Sequence, residues 1–177
     1  MTFTESPLAG AYVVDVKRLE DERGFFARSF CSAEFGALGL ATEMRQCSVS
    51  FNLRKGTLRG LHFQTAPHEE DKLVRCTRGA IFDVIVDIRP ESRTYRGWFG
   101  TELTQANHRA LYIPKGFAHG FLSLVDETEV FYMISVEYVA GAARGLRWND
   151  PALQIKWPFT PQVISARDAE FALLGGG

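Results

Sequence analysis

Arg54-Lys55-Gly56-Thr57-Leu58-Arg59-Gly60-Leu61-His62-Phe63-Gln64 sets a cation, an imidazole and an amide on one short strand-like run framed by two glycines. That density of chemistry-bearing side chains is more than a purely structural strand needs. Lys72 follows in Asp71-Lys72-Leu73-Val74-Arg75-Cys76, and then comes the acid-bearing apolar run Ala80-Ile81-Phe82-Asp83-Val84-Ile85-Val86-Asp87-Ile88-Arg89. Read together, the three are neighbouring strands that line one pocket with His62 at its centre. A lone His on a strand is ordinarily a hydrogen-bonded structural residue, so the weight rests on its company. The second half of the chain supplies it. Tyr112-Ile113-Pro114-Lys115-Gly116-Phe117-Ala118-His119-Gly120-Phe121 delivers a second His from a Pro-Gly turn, and Phe131-Tyr132 follows.

Working outward, alternation along Ala80 to Ile88 puts Ala80, Phe82, Val84, Val86 and Ile88 on one face and Ile81, Asp83, Ile85 and Asp87 on the other. One face is a core surface; the other sets carboxylates among apolar groups, where a cation such as Lys72 can pair with one. Further strands are expected at Ala11 to Leu19, Phe25 to Phe30, Gly97 to Leu103, Ala110 to Ile113, His119 to Val125 and Glu129 to Tyr138. In Phe25 to Phe30, alternation places Phe26, Arg28 and Phe30 together. In Glu129 to Tyr138 it places Tyr132 and Tyr138 on one apolar side. Helix is scarce: Ser32 is expected to cap a short one through Glu34 to Leu38 closed by Gly39, and Ser165 to cap a turn near the end of the chain. About ten short strands between Gly and Pro turns define an all-β fold, a jelly roll with a few short helices and an interior wide enough for a ligand. Alternation separates Arg59 from His62, so both enter the pocket only if Gly60 permits a bulge.

The chain has 177 residues, of which 46% are hydrophobic, enough for one cored domain spanning 1–177. Its 20 basic and 21 acidic side chains leave a net charge of -1, which argues against non-specific nucleic-acid binding and makes any phosphate recognition a matter of particular Arg and Lys residues. Cys31, Cys47 and Cys76 have no metal-ligand spacing, and a reducing cytoplasm is the simplest setting. No apolar run approaches the roughly 18 residues that span a bilayer, and no signal peptide is expected at Met1 to Pro7.

The motifs Arg23-Gly24-Phe25-Phe26, Gly56 to Gln64, Lys72-Leu73-Val74, Asp83 to Arg89, Pro114 to Phe121 and Trp148-Asn149-Asp150-Pro151 occur in this order between about Val14 and Asp168. In that order they resemble the dTDP-4-dehydrorhamnose 3,5-epimerase family. The resemblance implies a cupin-type jelly roll, a homodimer, and a nucleotide-sugar substrate whose 4-keto-6-deoxyhexose is inverted at C3 and C5 with no metal and no cofactor. It makes His62 the base, Asp168 the carboxylate that orients it, Lys72 the cation that stabilises the enolate under the guidance of Asp83, and Tyr132 the acid on the opposite face. It assigns Arg59 to the diphosphate, His119 to the pocket wall, and Arg23, Phe26, Arg28, Gln46, Ser48 and Tyr138 to substrate binding.

The chain departs from the family's pattern at three places. Arg28 stands where Glu is common, Ser48 stands where Asn is common in Gln46-Cys47-Ser48, and the acidic run Glu69-Glu70-Asp71 replaces a frequent Gln before Lys72. The nucleotide therefore stays open among dTDP, CDP and GDP. A single-centre epimerase, a keto-isomerase and a non-catalytic sugar-nucleotide binder remain the alternatives. The metal-binding cupin pattern of His-x-His, Glu and a later His reads here as His62-Phe63-Gln64, Glu69 or Glu70, and His119, with an amide in place of a nitrogen ligand.

Overall fold

A computed structural model of the chain describes residues 1–174. In chain order its strands are β1 (Thr2–Glu5), β2 (Tyr12–Asp15), β3 (Arg18–Asp21), β4 (Gly24–Ala27), β5 (Gln46–Asn52), β6 (Thr57–Gln64) and β7 (Lys72–Arg78). There follow β8 (Ala80–Asp87), β9 (Trp98–Thr104), β10 (Ala110–Ile113), β11 (Phe117–Ser123), β12 (Thr128–Ile134), β13 (Ala143–Gly145) and β14 (Val163–Ile164). Helix is confined to α1 (Ser32–Gly36), α2 (Ala166–Ala169) and one 3-10 turn at Ala140–Ala142. Among the described residues no helix is long and apolar enough to cross a membrane.

Two sheets face each other in a cupin-type jelly roll. One runs β1-β2-β10-β7-β12-β5; the other runs β13-β6-β11-β8-β9, with β14 added in parallel to β6. The apolar clusters show what each face does. Val74, Cys76, Leu111, Ile113 and Val130 from the first sheet pack with Ile81, Ile85, Leu103, Phe117 and Phe121 from the second, which fills the space between them. Leu61, Val84, Val86 and Ala118 point the other way, where Leu146, Leu153 and Trp157 of the C-terminal segment cover them. Val14, Leu73, Ala110 and Tyr112 on the back of the first sheet are covered by Phe35 of α1. The carboxylate-bearing side of β8 is therefore the interior, and both of its faces are buried.

Gly60 makes the bend that the pocket requires. The β6–β11 pairing shifts register opposite it, between His119 and Phe121, and its φ is +131°. A Cβ there would lie 2.5 Å from Gly120 Cα and suffer a left-handed backbone as well. With the irregularity in place, Arg59 and His62 both line the interior cavity.

Several local expectations are corrected. Ala11 to Leu19 is two strands, because β2 pairs with β1 and β10 while β3 leaves that sheet to pair with β4 as a separate hairpin. The strand at Phe25 ends at Ala27, and Phe30 turns to pack on Phe35 at 4.9 Å, so Phe26, Arg28 and Phe30 do not share a strand face. Ser32 lies inside α1 rather than at its cap. Cys31 holds the cap position, its carbonyl accepting the Phe35 N–H, and the helix stops at Gly36. Ser165 does cap α2, accepting from the Asp168 N–H at 3.1 Å. β12 ends at Ile134, where Ser135 turns to bond Asp71, so Tyr138 is off the strand and 58% exposed.

Candidate active site

The barrel interior opens into a cavity of about 330 Å³. On its β6 wall stands His62, paired across the ladder with His119 of β11 and on its other side with Gly145 of β13. Asp168, brought from α2, lies against it: His62 Nε2 donates to Asp168 Oδ1 at 2.9 Å. Asp168 is nearly buried, and Gly60 N–H donates to its second oxygen at 3.1 Å. Burial pushes this carboxyl up, but the His62 bond and charge, with the Gly60 and Ser165 contacts, outweigh burial and hold it below the usual carboxylate value. An ionised carboxylate can only accept, so Nε2 carries a proton and Nδ1 is the basic atom of the ring.

The facing sheet supplies Tyr132, Ser48, Ser50 and Lys72 from β12, β5 and β7. Tyr132 thus reaches the cavity from the wall opposite His62. Burial, reinforced by the Asp83 carboxylate and opposed by Arg59, pushes the Tyr132 phenol well above its ordinary pKa of 10 and keeps it protonated. Its ring stands edge-on to His119 at 6.1 Å. His119 Nε2 in turn lies 2.7 Å from Asp83 Oδ1. The other oxygen, Asp83 Oδ2, is fully buried and finds no hydrogen-bond partner among the described residues. An orphaned polar atom of this kind costs about 1–3 kcal/mol. A sheet position with a packing role alone gains nothing from that cost.

Lys72 does not pair with Asp83. Its Nζ lies 2.7 Å from Glu70 Oε1, with the two side chains 9% and 11% exposed, while Asp83 is occupied by His119. The physical reason is local: Glu70 sits two residues before Lys72 at the start of β7, whereas Asp83 projects from the opposing sheet beneath His119. Glu70 is a cavity residue that the strand patterns did not single out, although the acidic run before Lys72 was visible. Asn52 is another missed contributor. Its Oδ1 accepts from Arg59 Nε at 2.8 Å, which fixes the guanidinium at the cavity. Arg167, the neighbour of Asp168, also lines the cavity.

Gln64 is a clamp. Its amide donates to His68 O at 3.1 Å and Glu70 Oε2 at 3.3 Å and accepts from Val139 N at 2.7 Å. Among the described residues no three His, Cys, Asp or Glu side chains converge as metal ligands.

Ser48 and Tyr138 line the cavity. Gln46 acts one step away, its Oε1 accepting from Tyr138 N at 2.9 Å. Arg23, Phe26 and Arg28 are not brought to the cavity. They lie on or just after the β3–β4 hairpin, where Arg23 pairs with Asp21 at 2.5 Å, Arg28 pairs with Glu34 at 3.2 Å and Phe26 is 73% exposed. The hairpin is held at the β9–β10 connection instead, where Phe25 packs edge-on against His108 at 4.8 Å.

A cupin-type jelly roll whose cavity sets a His–Asp dyad against a protonated phenol defines the class: an enzyme that moves protons on a small, polar substrate. The comparisons are specific within that class. Residues 5–175 match the family model described as dTDP-4-dehydrorhamnose 3,5-epimerase, and the chain belongs to that family. A curated dTDP-4-dehydrorhamnose 3,5-epimerase of Sinorhizobium fredii is 41% identical over 96% of this chain and 87% of its own length. The crystal structure of a dTDP-4-dehydrorhamnose 3,5-epimerase from Bacillus anthracis with TDP and PPi bound superposes with a TM-score of 0.94 at 40% identity, over 98% of this chain and 99% of that one. An epimerase from Legionella pneumophila in complex with dTDP-4-keto-L-rhamnose superposes at 0.91 with 36% identity, over 97% and 92%. The protein is an isomerase of the epimerase type.

Proposed function

We propose that this chain inverts C3 and C5 of a dTDP-linked 4-keto-6-deoxyhexose, with His62 as base and Tyr132 as the opposing acid. The observation that carries the reading is the placement of the Asp168-backed imidazole and the protonated phenol on facing walls of one cavity. Carbon acids of this kind ionise only because C3 and C5 both flank the C4 ketone, so loss of either hydrogen gives a delocalised enolate. His62 Nδ1 takes the hydrogen, and Asp168 stabilises the imidazolium that results. Lys72 offsets the charge that grows on the C4 oxygen, as a nearly buried cation in the cavity wall. Tyr132 returns a proton from the other side of the ring, and the configuration inverts. The departing and arriving protons balance, so the enzyme is reset by exchange with solvent alone.

The nucleotide reading follows the relatives solved with TDP and with dTDP-4-keto-L-rhamnose. Arg59, Ser48 and Tyr138 bind the nucleotide-diphosphate end, with Gln46 bracing Tyr138 and His119 closing the sugar side. Arg23, Phe26 and Arg28 act in a homodimer, where the hairpin of one copy approaches the cavity of its partner. The exposed pair Leu19 and Phe26, opposite each other in that hairpin, supports a surface that a second copy covers. Three unpaired cysteines support a cytoplasmic setting.

Incubation with dTDP-4-keto-6-deoxyglucose in deuterated water tests the reading. Deuterium is expected at C3 and C5 of the product. Label at one carbon only converts the assignment to a single-centre epimerase, a moved keto group converts it to an isomerase, and tight binding with no label removes the catalytic reading.

A further inference from the structure

We propose that Phe171 is a positioning residue that sets the plane of the His62 ring. The inference rests on His62 being the base of the proposed reaction. Asp168 anchors the imidazole by one hydrogen bond, which fixes where Nε2 lies but leaves rotation about that contact open. The terminal torsion of a His side chain is itself broad, and the His62 side chain is 43% exposed, so packing on all sides does not hold it. A carbon-bound hydrogen is taken along the nitrogen lone pair, which lies in the ring plane. The plane therefore decides whether the base is aligned.

Phe171 supplies the missing constraint. Its ring meets His62 edge to face, with centroids 5.7 Å apart and planes at 80°. The space for it exists because the residue directly across the ladder from His62 is Gly145. A Cβ at that position would overlap the Phe171 ring at Cε2, Cζ and Cδ2. An aromatic ring from the end of the chain thus occupies the flank of His62 that a β13 side chain would otherwise fill. The backbone there is tied down as well: Arg147 Nε donates to Phe171 O at 2.8 Å and Arg147 N to Ala172 O at 3.2 Å. The Arg167 guanidinium also lies over this ring, 5.7 Å from its centroid. Among the described residues, Phe171 is not one of those that form or pack against the three apolar clusters. The stretch from Ser165 to Phe171 brings both the acid that orients His62 by hydrogen bonding and the ring that orients it by contact.

The test compares Phe171→Ala, Phe171→Tyr, Gly145→Ala and the Phe171→Ala/Gly145→Ala pair in the full chain, using solvent exchange into dTDP-4-keto-6-deoxyglucose. Phe171→Ala and Gly145→Ala, which strike the same contact from opposite sides, are each expected to lower kcat by roughly tenfold to a hundredfold with KM within about threefold, as small misalignments of a catalytic group do. Phe171→Tyr should keep most of kcat, and adding Gly145→Ala to Phe171→Ala should cost nothing more. Independently of activity, the ring-proton NOEs and 13C relaxation of the His62 imidazole in the substrate-free protein should show one ring orientation in the wild type and averaged orientations in Phe171→Ala, with the Nε2–H bond to Asp168 kept in both. Unchanged kcat and unchanged signals in Phe171→Ala overturn the inference, as does additivity of the pair. Should Phe171→Ala not fold, Gly145→Ala and Phe171→Tyr decide by the same criteria. If His62→Ala retains exchange, the base assignment fails instead, and the imidazole signals still decide the role of Phe171.

Discussion

Glu70 and Lys72 hold each other across 2.7 Å in the wall of the cavity, each removed from solvent over about nine-tenths of its side chain. The cation proposed to face the C4 oxygen is thus already paired with a carboxylate in the free protein. Glu70→Gln keeps a hydrogen-bonding partner of the same shape and removes the opposing charge. KM for the dianionic sugar nucleotide is expected to fall several-fold. Stability is expected to fall by about 1–3 kcal/mol, since a nearly buried cation loses its counter-charge. Steady-state exchange kinetics and the urea midpoint read the two effects.

Asp168→Asn separates orientation from charge. The amide oxygen can still accept from the Gly60 N–H, so the fold by circular dichroism should be unchanged. The imidazolium loses its ionised partner, and kcat for solvent exchange is expected to fall by about 10²–10⁴. Retention of more than a tenth of the wild-type rate would remove Asp168 from the mechanism.

Tyr132→Phe should divide two readouts that move together in the wild type. His62 can still take a proton and return a deuteron from its own side, so label continues to enter recovered substrate. Inverted product, which needs the phenol on the opposite wall, is expected to fall by about 10²–10³. Nuclear magnetic resonance of the mixture reads both at once. Equal loss of the two would assign the abstraction step to Tyr132 as well.

Acid sensitivity should come in part from Asp87, far from the chemistry. Burial pushes its carboxyl up, but bonds from Arg89, Ser92 and Thr94 overcome that and bring it down to about 2 from an ordinary 3.8. The folded value lies below the unfolded one, so its contribution is complete above about pH 3.8 and is lost as pH falls towards about 2. Asp87→Asn is expected to lower the urea midpoint at neutral pH and to flatten its dependence on pH in that window. A variant that keeps the wild-type slope there would place the titration elsewhere.

Much of the fold was legible in short-range pattern. Alternation through Ala80 to Ile88 identified the two faces of β8, and the Gly beside Arg59 announced the irregularity that lets Arg59 and His62 share the interior. Ser165 before Asp168 likewise marked the turn that presents the acid. Pairing between distant segments was less legible. Asp83 and Glu70 are both carboxylates near Lys72 in sequence, and only the pairing of β8 with β11, in the sheet that does not hold Lys72, sends one to His119 and leaves the other to Lys72. Tyr138 follows the alternation of β12 on paper, yet the strand ends when Ser135 turns to Asp71, an event written in a different segment. The hairpin carrying Arg23 and Phe26 was recognisable by its motif, but motif spacing did not reveal that it lies away from this cavity.

Asp168 follows every strand of both sheets along the chain. During synthesis the barrel walls can therefore assemble around an imidazole that has no anchor, and the His62–Asp168 pair forms only when the closing turn docks. A nascent or clipped polypeptide ending before residue 165 would keep every strand of both sheets but lack the carboxylate partner of His62 and the packing of Leu174, so an antibody or a scattering profile that recognises the barrel would not report whether that pair is in place.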